Sequence, residues 1–140
     1  MTEKFKILGK FIKYLSSETP DIETYLLVRE RTSKYQLGID INSKALKNKM
    51  IEVITTFKFE DKEKVKKKSH FEIIYSTIVK VSDEVKDKKE LEKIILCDVQ
   101  VKIYSDLEKT LLDLLHNSGF PGVKFEKKVD FEGLYKQKFN

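Results

Sequence analysis

The apolar residues of this chain change their spacing once. Between Phe5 and Val81 they recur at every second position in separate stretches, and from Leu91 onward they recur at every third or fourth. A period of two puts alternate side chains on opposite faces of a strand, whereas a period near 3.6 gathers them on one face of a helix. The chain therefore reads as a sheet first and helices to cover it second, an α+β order rather than repeated strand–helix units.

The strands follow from that alternation. Phe5, Ile7, Gly9 and Phe11 alternate with Lys6, Leu8, Lys10 and Ile12, which makes a first strand with Phe5, Ile7 and Phe11 on the core side. Ser16-Ser17-Glu18-Thr19-Pro20-Asp21 then breaks the pattern and opens a long connection, residues 16–33, that carries the apolar cluster Tyr25-Leu26-Leu27-Val28. Such a cluster has to lie down on something: it plugs the core, forms a short helix or walls a groove. Tyr35, Leu37, Ile39 and Ile41 mark a second strand, and Ser43 to Lys49, with Asn48, supplies a polar turn. Met50 to Phe59 forms a third, with Ile51, Val53, Thr55, Phe57 and Phe59 on one face. The fourth runs from about His70 to Val81, with Phe71, Ile73, Tyr75, Thr77, Val79 and Val81 together. Connections this short join antiparallel neighbours, so the expected sheet is a four-stranded antiparallel meander.

Ser82-Asp83-Glu84 offers a cap for the helix that follows. Its apolar positions are Leu91, Ile94, Ile95, Val99, Ile103, Leu107, Leu111, Leu114 and Leu115. The β-branched run from Val99 to Ile103 predicts a loosened turn near Ser105. Asn117-Ser118-Gly119 stops the helix and Pro121 forbids its continuation. Asp130 then caps a short final helix, Phe131 to Phe139, with the stripe Phe131, Leu134 and Tyr135.

With 140 residues the chain fills one domain, 1–140, and its apolar runs are too short to span a bilayer. Charged residues recur from Glu3 onward where a secretory leader would need an apolar run, which predicts a cytoplasmic protein. Two histidines and one cysteine are a poor inventory for catalysis. Cys97 reads as a buried thiol, His116 as a cation suited to a helix C-terminus, and His70 beside Glu72 as a solvent-facing strand pair or half of a metal site with no second half in sequence. No phosphate-binding glycine pattern surrounds Gly119 and Gly122. The expectation is therefore no enzyme, metal or cofactor. The net charge of +5 has its densest run at Lys62 to Lys68, a solvated hairpin loop, and Lys4, Phe5, Lys6, Lys10, Phe11, Lys13 and Tyr14 interleave cations with aromatics as single-strand nucleic-acid platforms do. Alternation accounts for the same aromatics as core, so a basic adaptor or nucleic-acid module is the minor reading.

Three words of sequence point elsewhere. Tyr14-Leu15-Ser16-Ser17-Glu18-Thr19-Pro20, the pair Phe120-Pro121, and Val129-Asp130-Phe131-Glu132-Gly133-Leu134-Tyr135, with Ile51-Glu52-Val53 and Phe71-Glu72-Ile73 between them, resemble the SecB family of protein-export chaperones in order and spacing. The resemblance covers Phe11 to Tyr135. It implies an ATP-independent holdase that binds unfolded preproteins, assembles as a homotetramer (a dimer of dimers) and serves Sec-dependent export. The family's client groove maps onto Tyr25, Leu26 and Leu27 of the long connection, Tyr35, Leu37 and Ile39 of the second strand, and Tyr104 and Leu107 of the helix. Its acidic docking pattern for the SecA motor maps onto Glu18 and Glu72, while Tyr14 stands where that pattern has an acid. The alternative within the family is a dedicated chaperone for one partner, such as the antitoxin of a toxin–antitoxin system.

Overall fold

The computed structural model describes residues 4–125 and 129–139, with the side chains of the last two helical residues left aside. Four strands, β1 (Phe5–Glu18), β2 (Tyr35–Ala45), β3 (Met50–Asp61) and β4 (His70–Val81), form one antiparallel sheet in the order β1-β4-β3-β2. β2, β3 and β4 run as the expected meander. β1, however, joins the sheet beside β4 rather than beside β2, which gives a Greek-key order. The connection between β1 and β2 makes this possible. It crosses the end of the β3–β4 hairpin to the far edge of the sheet, a distance of about 14 Å for three strand spacings.

On the way it forms α1 (Ile22–Arg29), capped by Asp21 Oδ1, which accepts from Thr24 N at 2.8 Å, and a single 3-10 turn at Thr32–Lys34. Of the three fates open to the apolar cluster, it takes the short helix, burying Thr24 and Val28. The β2–β3 turn places Asn48 and Lys49 at positive φ and closes with a bond from Met50 N to Lys47 O, the primed geometry that matches strand twist.

One face of the sheet carries the core. Val53, Phe57, Phe59, Phe71, Ile73, Tyr75 and Val79 are buried there against a long helical stretch. It begins as α2 (Lys88–Lys93), passes through a π segment (Ile94–Asp98) and continues as α3 (Val99–Asn117). Asp87, not Ser82, caps it by accepting from Lys89 N; Ser82 Oγ instead accepts from Glu84 N in the preceding turn. The helix is irregular at the π segment, a turn or more before the expected position near Ser105. Wholly buried Gln100 accounts for the neighbourhood: its Nε2 donates to the Ile95 carbonyl at 3.2 Å, and its Oε1 accepts from Thr55 Oγ1 of the sheet at 3.0 Å. A polar side chain is thus satisfied inside the core where the helical ladder is disturbed. Cys97 is buried in the same segment, which pushes its thiol pKa up.

β1 departs most from the alternation. Register shifts between Ile7 and Gly9 and between Ile12 and Tyr14 each invert the faces beyond them. Phe11, expected in the core, pairs with Ser76 on the outward face and is exposed. The strand also continues to Glu18, where Ser16 to Glu18 were expected to have left the sheet.

The chain after α3 turns at Gly119, whose φ is +103°. Tyr25 of α1 presses on this glycine: its hydroxyl donates to the Gly119 carbonyl at 2.8 Å, and a Cβ on Gly119 would lie 2.6 Å from its ring. Phe120 then packs edge-on to Phe71 and tilted against Tyr25. Gly119→Ala is expected to cost about 2 kcal/mol in urea denaturation, because it combines a strained φ with this contact. A loss below about 0.5 kcal/mol would mean that the Tyr25 ring swings aside without consequence.

Candidate functional site

The elements leave a trough along β2, the edge strand farthest from β1. Tyr35, Leu37, Ile39 and Ile41 alternate onto the helix-side face of β2, opposite Asp61, Phe59, Phe57 and Thr55 of β3. Two hollows open over this row. One, of about 380 Å³, lies between Ile39 and Ile41 below and Leu96, Phe131, Leu134 and Tyr135 above. The other, of about 360 Å³, lies between Tyr35, Leu37 and Phe59 and the segment Val123, Lys124 and Phe125.

The upper wall of the first hollow is α4 (Phe131–Phe139). Asp130 Oδ1 accepts from Gly133 N at 3.0 Å, and a Cβ at position 133 would come within 2.5 Å of that carboxylate, so glycine at this place in the helix makes room for the cap. Phe131 is buried edge-on to Tyr104, while Leu134 is half exposed on the wall. Burial, followed by Glu108, pushes the Tyr104 hydroxyl up to about 12. In the second hollow Tyr35 forms the floor. Its hydroxyl accepts from Ser69 N at 2.9 Å and its ring packs against Phe59, so it is a fixed apolar surface.

The residues expected to line a groove separate into three groups. Leu37 and Ile39 line the hollows and Tyr35 lies beneath them. Tyr104 and Leu107 are buried in the core, Leu107 completely. Tyr25 is spent on Gly119 and Phe120, and Leu26 and Leu27 are exposed on α1 but line neither hollow. The hollows are also lined by Ile41, Leu96, Phe131, Leu134, Tyr135, Val123 and Phe125, which are not among the residues expected to form a groove. The apolar stripe of the final helix was the available signal for three of them.

Glu18 and Glu72 both face away from the helices, on adjoining strands. Glu18 pairs in register with His70, and Glu72 accepts a contact from His70 Nε2 at 3.2 Å. The surrounding outward face is mixed in sign: Lys13 bonds Glu52 at 3.1 Å, and Ser76 also donates to Glu52, holding its pKa below the usual carboxylate range. Among the described residues no group of three or more histidine, cysteine, aspartate or glutamate side chains could hold a metal ion.

An ion-pair cluster fixes the trough's hairpin end. Arg31 Nε donates to the buried Asp61 carboxylate at 2.9 Å and Arg31 Nη2 to Glu63 at 3.0 Å. The guanidinium holds both carboxyls below their ordinary range. Groups with lowered pKa values in the folded state bind protons more readily when unfolded, so their contribution is complete above about pH 5 and is lost as pH falls below about 4. Asp61→Asn should therefore flatten the acid limb of stability between about pH 5 and 3 in urea denaturation. An unchanged slope would remove this pair from acid unfolding.

Comparison with known proteins adds the following. The family model described as preprotein translocase subunit SecB matches residues 1–140. A "Putative protein-export protein SecB" of Pelagibacter ubique (strain HTCC1062) is 62% identical over 140 residues, the whole of both chains. A protein-export protein SecB of Bartonella quintana (strain Toulouse) is 19% identical over 134 residues, which is 96% of this chain and 83% of that one. Among solved structures, a Mycobacterium tuberculosis SecB-like chaperone in complex with an antitoxin peptide aligns with a TM-score of 0.64 at 11% identity, over 89% of this chain and 91% of that one. That likeness concerns the fold.

Proposed function

Because the chain belongs to the SecB family of chaperones, we propose that it is an ATP-independent holdase that lays extended segments of unfolded polypeptide along the β2 trough. The observation that carries this reading is the pair of hollows over one continuous row, Tyr35 to Ile41. Six residue steps of strand span about 20 Å, enough for a short extended segment to place alternate side chains in both hollows. Each apolar side chain buried contributes roughly 1.5–3 kcal/mol. Two or three such contacts contribute roughly 3–9 kcal/mol, the same order as the cost of association, so one short segment is held weakly and the grip grows as further segments of the same client are bound. Contacts of this kind are non-directional, so many sequences are held and each is released without an energy source.

The clients of this reading are preproteins destined for export, met in the cytoplasm. No described helix is long and apolar enough to cross a membrane. The outward face with Glu18 and Glu72 is the surface offered to the SecA motor. Assembly into a dimer of dimers is supported by β1, where Leu8, Phe11, Ile12, Tyr14 and Leu15 are all exposed on an edge strand. Sedimentation equilibrium is expected to give four copies, and Phe11→Lys with Leu15→Lys to reduce that number. A single copy for the native chain would remove the assembly.

The test of the function is titration calorimetry without nucleotide, using one precursor protein held unfolded in one experiment and native in another. Binding to the unfolded form alone is expected. No heat with either form would remove the holdase reading.

A further inference from the structure

Resting on the holdase reading, we infer that the trough selects clients by charge, favouring segments in which bulky apolar residues are flanked by aspartate or glutamate. The preference originates at the hairpin end of the trough. Tyr35, which floors the second hollow, pairs with Asp61, and its hydroxyl is bonded to the backbone of Ser69. The β3–β4 loop thus leaves and returns at that hollow. Between those two anchors the chain reads Lys62-Glu63-Lys64-Val65-Lys66-Lys67-Lys68, five lysines against one glutamate.

Three acids beside this loop are already engaged. Asp61 is bound by Arg31, and Glu63 by Arg31 and, at 3.7 Å, by Lys34. Glu23 of α1 pairs with Lys67. Lys62, Lys64, Lys66 and Lys68 are exposed and form no ion pair among the described residues, and the same holds for Lys124 on the opposite wall of the hollow. At its other end the polar side chain on the trough's wall is that of Gln137, and no cation lines it among the described residues; Asp40 alternates onto the opposite face of β2, where it accepts from Asn42. The two ends therefore differ in charge. Apolar burial supplies the grip, which is indifferent to sequence, whereas a band of unpaired ammonium groups at one end attracts carboxylates and repels lysine-rich segments. Exposed charges act over about 10 Å at 0.1 M salt, which covers the first few residues beyond an anchored aromatic.

Three labelled peptides test this by fluorescence anisotropy with the full chain. They share one aromatic–aliphatic core and are flanked on both sides by glutamate, serine or lysine. At about 50 mM salt the glutamate-flanked peptide should bind about tenfold tighter than the lysine-flanked one, and at about 0.5 M the gap should shrink to about twofold. In the triple variant Lys62→Ser, Lys64→Ser, Lys66→Ser the two charged peptides should differ by no more than about twofold at low salt. Equal or reversed affinities at low salt, with the serine-flanked peptide still bound, would overturn the charge preference alone. A full gap retained in the triple variant would overturn the assignment to this loop. Failure of all three peptides to bind would remove the holdase reading, and the preference with it.

Discussion

Leu107→Asp is expected to leave the chain unfolded in buffer. Leu107 has no exposed surface and lies on the core face of α3 between Ile103 and Leu111, which are equally enclosed. A carboxylate there would have no water or cation to stabilise it. An unpaired buried charge costs several kcal/mol, and the lost leucine contacts add to it. The sum approaches the whole stability of a typical domain, about 5–15 kcal/mol. Leu107→Ala, which only opens a cavity, should fold with a loss of roughly 2–5 kcal/mol. Far-UV circular dichroism of the aspartate variant and urea denaturation of the alanine variant provide the check. A native spectrum with a cooperative transition for Leu107→Asp would mean that α3 is not clamped to the sheet.

Leu37→Asp should behave in the opposite way, folding normally and losing clients. Leu37 is only partly buried, at the rim of the second hollow, where a carboxylate reaches solvent by a change of rotamer. Its effect on stability should stay within about 1 kcal/mol. On the proposed function the substitution removes one apolar contact worth roughly 1.5–3 kcal/mol, so the dissociation constant for an unfolded client should rise by about 10- to 100-fold. Titration calorimetry on the folded variant measures this directly. Unchanged affinity would move the client away from β2.

These two leucines show what the sequence could and could not reveal. Both fall on the apolar side of a periodic element, and periodicity reports a face without reporting what covers it. For β3 and β4, central strands flanked on both sides, the face alone was enough: every alternate residue from Phe71 to Val81 is buried as the pattern implies. For β1 it was not. Two bulges shift the phase of the strand, and no residue type at Leu8 or Lys13 announces them. The π segment is silent for the same reason, since an inserted residue leaves the apolar stripe from Ile94 to Leu115 in place. Leu37 stays accessible because β2 lies at an edge of the sheet. Leu107, expected in the same groove, is enclosed because α3 presents that stripe to the sheet. Tyr25 was a third case, since its role depends on Gly119, 94 positions away.

The strand order also bears on how the chain is made. β1 leaves the ribosome before the other three strands, yet its partner is the last strand of the sheet, with Phe5 opposite Val81 and Glu18 opposite His70. At about 5–20 residues per second, the intervening stretch takes several seconds to synthesise. During that interval Leu8, Phe11, Ile12, Tyr14 and Leu15 have no strand of their own sheet to join, and neither β2 nor β3 can offer one. Folding therefore has to begin in the middle of the polypeptide, with the β2–β3–β4 meander, and the N-terminal segment must wait for the chain to come back to it.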